Sequence, residues 1–504
     1  MSSQVRVLTS ALKLSLAVAA GVMFFVLPQH AIFAVLAAAM TLWLLFGGLG
    51  SVGDVVGAQT GAGTTETLAA IEGDLKVVYG KDLVQVMPDV AIIQKMYPLS
   101  EGGAFPLVGD YFSALIGVKF PWGFSFLGKG TESTATNTTL GDTLAGQTKP
   151  AKVYAATTVL TDNLAYQILD RAASSGSQQA VLSAMQYTGM QMAVNMRNVL
   201  ELQILHGQEG LGASAGAISS TTVTFDGATT AVGILSTLLG ARVQFFQSNL
   251  TSARTAHDSS NYLEVTDVNT SDPASPTVTL TATGTTNVAA ITTGDVMFLG
   301  GSRGISVASN ATSVPFYEQL GLMKQLRLTS GDVFDLSRTT YQPWRPNTQA
   351  TIGTFSPSAL VSGAALSMNR GGIIGEYVAC LPVDAWSVLN SALATNEVYN
   401  QQGPSAYSMK RTGTDDIEVR SGGIKINCLS HPFQKRGLYG FWPKSEVHRI
   451  GSTDVTFAIP GRKGGEEYYF PVNGYAAMQR QCRADFQVAL LNPPSSVYGS
   501  GITY

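Results

Sequence analysis

The clearest periodic signal in the chain lies at residues 178–206. Apolar or small residues fall there at Leu182, Met185, Gly189, Met192, Met196 and Val199. The steps alternate between three and four, so these positions share one stripe of an α-helix. No proline interrupts the run, and Gly207 follows directly, where a helix C-terminus favours glycine. At about 1.5 Å per residue the helix is roughly 43 Å long, a scaffold element rather than part of a compact catalytic domain. Its charged residues are Arg197 and Glu201, four apart and so spaced to pair on the surface. The rest of the polar face is Gln, Asn, Ser and Thr. A long helix with so little charge suits a spine covered by other protein.

A period of two takes over on either side. Trp122, Phe124 and Phe126 alternate with Gly123 and Ser125, placing three aromatics on one face of a strand. A polar Thr/Gly-rich stretch follows over 131–149, and AKVYAATTVLT (151–161) returns as the second strand. The pair predicts a long hairpin, read either as an ordinary core hairpin or as an arm that reaches a neighbouring subunit. Upstream, 66–97 reads as helical pieces broken at Gly80 and stopped near Pro88. Downstream, 231–250 reads as a short helix. Residues 262–301, with alternating TVTLTAT and the glycine-bounded GDVMFLGG, read as a separate small β insertion. A loop-rich strand region runs on to Asn347.

From 356 the pattern becomes α/β. A helix over SPSALVSGAALSMNRGG precedes the strand EYVACL. PVDAWSVLNSAL is then a Pro-led helix with Asp384 in its first turn. GGIKINCLSH, GLYGFWP and EEYYFPV are strand-like, and AAMQRQCRADFQVALL makes a last strand ended by Pro493-Pro494.

Residues 11–50 break the pattern of a globular chain. Two apolar runs, divided by Pro28-Gln29-His30, each approach the ~20 residues that span a bilayer. Arg6 and Lys13 precede them, and the next basic side chain after these, histidine aside, is Lys76. Three readings stay open: a two-helix membrane hairpin, a signal peptide, or an N-terminal extension that is buried or included by an early start. The signal peptide is the weaker, because the second apolar run follows at once without a small-x-small site before it.

Composition sharpens the picture in one respect. Hydrophobic residues make up 45% of the 504, an ordinary share, but charged residues only 13%, about half the usual fraction. Surfaces of that kind suit faces buried against neighbours, and also secreted proteins. The length leaves room for two to four domain-sized units. A net charge of −3 argues against tight nucleic-acid binding across the whole chain. Cys380, Cys428 and Cys482 are an odd number without close spacing, so they are no disulfide framework.

Chemistry-bearing motifs are near misses. GFSFLGKGT (123–131) lacks the Ser or Thr after Lys129 that a P-loop needs for its metal; Gly130 stands there. GASAG (212–216) matches the nucleophile elbow around Ser214, but follows a helix rather than a strand. Cys428 and His431 are half of a zinc site without a second pair. His448 and Cys380 meet only if the fold brings them together, and Asp415-Asp416 reads as a solvated loop. Asn137, Asn249, Asn269 and Asn310 each open an N-x-[ST] triplet, which carries little weight in a chain so rich in Ser and Thr. No base, nucleophile and orienting group come together, so neither an enzyme nor a cofactor is expected.

The order of parts carries a resemblance. An N-terminal arm leads to a long hairpin, then to the helix ending RNVLELQILHGQEGLG. A β-rich platform comes next, and an α/β region containing EYVACLPVDAWSVLN and GGIKINCLSHPFQKRGLYGFWP. Over about residues 60–495 this resembles the major capsid proteins of tailed bacteriophages, whose fold is shared with encapsulins. The resemblance implies an α+β fold with a hydrophobic N-terminal segment (1–58), an N-arm (59–101) and an E-loop hairpin (102–152). A P-domain (153–261, continued at 302–355) would hold the spine helix 178–206, with the β insertion at 262–301. An A-domain (356–458) and a C-terminal return to the P-domain (459–504) complete it. It also implies a virion protein, assembled in the host cytoplasm, that forms hexamers and pentamers of itself in an icosahedral shell. Double-stranded DNA would be packaged without sequence specificity. Scaffolding protease, portal and decoration proteins are the implied partners, with membrane contact through residues 11–50 left open. Trp122, Phe124 and Phe126 are the implied inter-subunit contacts. Lys129 and Lys149 are placed by position alone where some family members cross-link. An encapsulin-like shell and a membrane-anchored surface or array protein are the alternative readings. The N-terminal hydrophobic pair departs from the family pattern, and the chain is longer than a minimal subunit.

Overall fold

The computed structural model describes residues 90–100, 105–119, 146–165, 178–216, 218, 221–250, 252–302, 316–394, 417–458, 469–471 and 477–504. All belong to one unit of the chain, Val56–Tyr504. The fold is α+β: many antiparallel strands, short helices and one long helix. Among the described residues no helix is long and apolar enough to cross a membrane, and the apolar runs at 11–50 lie outside them.

The described chain begins with α1 (Ile92–Met96), a single turn too short to hold without support. Strands β1 (Leu107–Val108), β2 (Tyr111–Lys119) and β3 (Gln147–Val153) form one antiparallel sheet. β2 and β3 are the legs of the expected hairpin, with Phe112 opposite Val153 and Lys119 opposite Gln147. The returning strand is not one run over 151–161, however. The chain breaks at Tyr154-Ala155, and β4 (Ala156–Ala165) leaves the hairpin to pair with a strand near the C-terminus. No glycine or proline marks that break, so the alternating pattern reads straight through it.

The long helix α2 (Gln178–His206) has the expected bounds. Gly189, Met192 and Met196 are buried, as the stripe requires, but from Leu200 to His206 every residue is buried. The apolar stripe widens into a fully enclosed end.

Beyond α2 come β5 (Gly212–Ala213), β6 (Thr222–Thr224), α3 (Val232–Leu235), β7 (Arg242–Phe246), β8 (Tyr262–Asn269), β9 (Thr277–Thr283) and β10 (Val296–Leu299). The strands are antiparallel in the order β5-β10-β7-β8-β9-β6. Ser214 bridges to Phe225, the Ala215 amide donates to Thr224 O (2.8 Å) and the Asp226 amide to Ala213 O (3.0 Å). The last strand therefore meets the first, and the sheet closes into a small barrel filled by Val223, Phe225, Phe245, Leu263, Leu280 and Met297. This corrects two expectations. Residues 262–301 are not a separate insertion, since their strands share one ring with 212–246. Residues 231–250 hold one helical turn and then β7, because Gly240 at φ +78° ends the apolar run.

Then follow α4 (Leu322–Arg327), β11 (Asp332–Val333), β12 (Leu336–Ser337), β13 (Asn347–Gln349), β14 (Gly353–Thr354), α5 (Pro357–Asn369), β15 (Glu376–Leu381), α6 (Val383–Ala394), β16 (Ile417–Ser421), β17 (Ile424–Ser430), β18 (Leu438–Pro443), β19 (Val447–Thr456), β20 (Tyr469–Pro471), β21 (Ala477–Leu490), β22 (Val497–Ser500) and β23 (Ile502–Thr503). A mixed sheet runs β13-β22-β18-β15-β17-β16. Both faces of β15 are covered, which explains its continuous apolar sequence. Tyr377, Ala379 and Leu381 pack with Leu360 of α5 and Leu389 of α6. Val378 and Cys380 join the core that holds α2, on the other face. Pro493-Pro494 do end β21, but it is not the last strand. β22 then enters this sheet between β13 and β18, and β23 pairs with β14. A second antiparallel sheet centres on β21, with β4 along one edge and β19 and β20 along the other.

Candidate functional site

The hairpin is rooted firmly in the body. Ala114 and Ala151 pack with Leu336 and Trp344, and Val153 with Ile450 and Ala489. The tight turn between β11 and β12 supports this root. Its central residues, Phe334 and Asp335, are both left-handed (φ +54° and +59°), a turn that normally favours Asn-Gly. The strained turn has partners. The Lys152 amide donates to Phe334 O (2.9 Å), and the Lys152 ammonium meets Asp335 at 3.0 Å. Donating to the Asp335 carboxylate raises the Lys152 pKa. Farther out, Leu115 is 76% exposed. Trp122, Phe124, Phe126 and Lys129 fall within 120–145, outside the described residues. Lys149 sits on β3 opposite Ile116.

Beside the root runs a groove of about 940 Å³. Its walls are β4 from Ala156 to Leu160, Met196 and Val199 of α2, the 299–302 segment, Phe316 to Glu318 and the Phe334-Asp335 turn. Among the described residues β4 pairs with β21 alone, and it carries no charge from Ala156 to Thr161. Val159 (45%) and Tyr317 (59%) are exposed there.

A second constellation fastens α1 to α2. Glu201 is fully buried, so it is no surface partner for Arg197. One carboxylate oxygen accepts the Ile93 amide and, at 3.1 Å, the Nε2–H of His431; the other accepts the Gln94 amide at 3.1 Å. The Phe433 amide donates to His431 Nδ1 (3.1 Å), which places the imidazole proton on Nε2. At the other end of α1, buried Arg449 donates through Nη1 to Gln94 O (3.3 Å) and Tyr97 O (3.2 Å), while Nη2 meets Asp454. Carboxylate at the N-terminus and guanidinium at the C-terminus complement the helix dipole. Neither Glu201 nor Arg449 is marked by its sequence spacing.

The third constellation is the crossing where α2 ends and α4 begins. Gly321 N–H donates to Gly207 O at 3.1 Å. A Cβ on Gly207 would lie 2.2 Å from Gln319 O. The left-handed residue here is Gln208 (φ +63°), not Gly207, and its amide is held by Glu318 at 2.6 Å. Gly207 is thus needed for space rather than for φ. Buried around the crossing are His206, Glu209 and Lys435. Burial pushes the His206 imidazole down to about 4. Burial raises the Glu209 carboxyl, but His206, Lys435 and Arg327 outweigh it and hold it at about 2.

Those chemistry motifs that lie among the described residues are packed into the fold. Ser214 is buried and its hydroxyl lies 3.1 Å from Gly216 O and 3.2 Å from Thr292 O, with no helix after it. His431 is held by Glu201, and His448 packs edge-on against Phe105 at 5.3 Å. Cys380 and Cys428 lie on opposite faces of the mixed sheet. Burial pushes the Cys428 and Cys482 thiols up to about 12, and Cys380 higher still. Native protein at pH 8 is therefore expected to resist an alkylating reagent at all three cysteines and to react at each only after denaturation; rapid native labelling would show the layers to be open. Among the described residues no three metal-ligating side chains converge. Asp415-Asp416 and the P-loop look-alike lie outside the described residues.

No family model matches the chain, and no curated protein does. Solved structures do. The chain is similar to the cyanophage A-1(L) capsid asymmetric unit, with a TM-score of 0.44 and 10% identity over 84% of this chain and 96% of that one. It is similar to the capsid of a native GTA particle, with a TM-score of 0.40 and 8% identity over 87% and 99%. It is also similar to the SrpI encapsulin complex of Synechococcus elongatus, with a TM-score of 0.35 and 7% identity over 88% and 99%.

Proposed function

We propose that this chain is the major capsid protein of a tailed bacteriophage, a structural protein that assembles with copies of itself into an icosahedral shell around double-stranded DNA. One observation carries the reading: a hairpin rooted in the body at its base stands on the same chain as an open groove, one wall of which is the uncharged 156–161 stretch of β4. An arm and a receiving surface on different parts of one subunit make a head-to-tail contact, which closes into rings and, with a second contact, into shells. In this reading the hairpin is the E-loop, α2 the spine helix, the layers around β21 the P-domain and the α5–β18 layers the A-domain. Trp122, Phe124 and Phe126 meet the neighbouring subunit. A net charge of −3 suits a lining that does not grip packaged DNA, because each phosphate contact adds salt-dependent affinity.

Electron microscopy of the purified full-length chain tests this. Icosahedral shells containing nucleic acid are the expected result. Shells holding only protein cargo would transfer the reading to an encapsulin, and monomers confined to a membrane fraction would sink both. Trp122→Ala with Phe124→Ala is expected to leave a folded subunit whose shell yield falls at least tenfold, since the weakened contact recurs at every subunit. Normal shells from that variant would remove the aromatic arm from the mechanism.

A further inference from the structure

The crossing of α2 and α4 joins three parts of the molecule: the long helix, the barrel that follows Gly210 and the 431–437 loop of the mixed sheet. Its charges are unevenly matched. His206 is 2% exposed, and among the described residues neither ring nitrogen has a hydrogen-bond partner. Its Nδ1 lies 3.7 Å from the Glu209 carboxylate. That carboxylate is already engaged by Arg327 at 2.7 Å. Lys435, 5% exposed, reaches the Glu209 carbonyl at 3.5 Å. Glu318 is taken up by the Gln208 amide, and Lys324 contacts Gln208 from α4. His431 faces His206 across the loop but donates to Glu201. Tyr498 of β22 completes the surroundings of Glu209. A proton arriving on His206 would thus add a cation beside Lys435 and Arg327, with one shared carboxylate to balance them. The crossing has no slack to absorb the change, because Gly207 and Gly321 already touch backbone to backbone.

We propose that this crossing is a proton-driven hinge: protonation of His206 loosens the Gly207–Gly321 contact and frees the barrel and the 431–437 loop to move relative to α2. The inference stands independently of the shell assignment, since it concerns one subunit. The sign follows from burial. The imidazole is held near 4 in the fold against 6.5 in water, so the closed form keeps its full stability above about pH 6.5 and loses it as the pH falls toward 4. Glu209, held near 2 against 4.5 in water, contributes its own loss only as the pH falls from about 4.5 toward 2.

Hydrogen–deuterium exchange of the full-length chain between pH 7.5 and 4.5, corrected for intrinsic exchange, tests the hinge. Peptides covering 206–211 and 431–437 are expected to lose protection by up to about tenfold per pH unit below 6.5, while β8 and β9 stay protected. His206→Phe, which keeps an aromatic ring without a titrating group, is expected to abolish the pH dependence. His448→Gln, whose ring packs on Phe105 at the hairpin root, is expected to leave it intact. Should His206→Phe fail to fold, Lys435→Met serves instead: removing the neighbouring cation is expected to shrink the loss of protection. Protection independent of pH, or the same acid loss in His206→Phe or Lys435→Met, would overturn the proposal.

Discussion

Glu201→Ala is expected to destabilise the chain by roughly 3–5 kcal/mol, the lower part of what three buried donors stripped of their acceptor cost, and to release residues 90–97 from α2. The side chain is fully buried and accepts the Ile93 and Gln94 amides and the His431 Nε2–H. Alanine would leave these donors without an acceptor in a dry site, each at about 1–3 kcal/mol where water cannot enter. α1 spans a single turn, so it has no intrinsic stability with which to resist. Urea unfolding would give the energy, and protease trimming at 90–97 would locate the release. Glu201→Gln is expected to recover only part of the loss, because its amide nitrogen would face a backbone N–H where an acceptor is required. Arg197→Ala is the informative control. If Glu201 worked as the surface partner that its spacing suggests, the two substitutions would cost about the same, under 1 kcal/mol. A large loss at Glu201 alone is the outcome that burial dictates.

The contrast between Glu201 and its neighbours shows what a sequence exposes. The bounds of α2 were legible because its stripe repeats for many turns and Gly207 ends it. The α5–β15–α6 succession was legible for a similar reason: Pro357 and Pro382 mark helix starts, and EYVACL is apolar throughout because both its faces are covered. The low charge of α2 signalled that something covers it. The residues gave no sign that much of the cover is its own chain, through α1, α4 and β21. The missed elements depend on distant pairing. Gly212-Ala213 is too short to carry a pattern, yet it closes the barrel. β4 reads as part of the hairpin until β21 takes it away. Lys435 has no acidic residue near it in sequence, and the Glu446 and Asp454 near Arg449 suit an exposed pair as well as a buried one, so nothing in their spacing separates a buried clamp from a solvated surface. The i,i+4 rule placed Glu201 on the surface because the rule knows only the helix, not what packs against it.

Gly207→Ala and Gly321→Ala should each lower stability by about 3 kcal/mol or more, at the upper end of what overpacking usually costs. The reason is what the added methyl would meet. At Gly207 it would lie 2.2 Å from Gln319 O and 2.5 Å from Gln203 O. At Gly321 it would lie 2.4 Å from Gly207 N and 2.8 Å from Leu205 O. Every one of these atoms is backbone, so no flexible side chain can swing aside, and relief requires the two segments to separate. Neither glycine is left-handed, so alanine meets no dihedral penalty and the loss measures the crowding itself. Gly301 supplies the comparison: it is left-handed at φ +86° with nothing within 4 Å of its missing Cβ, and Gly301→Ala is expected to cost only about 1–2 kcal/mol of backbone strain. The double variant tests the geometry further. Both methyls would force open the same crossing, so the second should add little once the first has parted the segments, giving a combined loss well short of the sum. Strict additivity would mean that the two glycines relieve separate contacts, and single losses near those of Gly301→Ala would mean that the crossing is looser than these distances require.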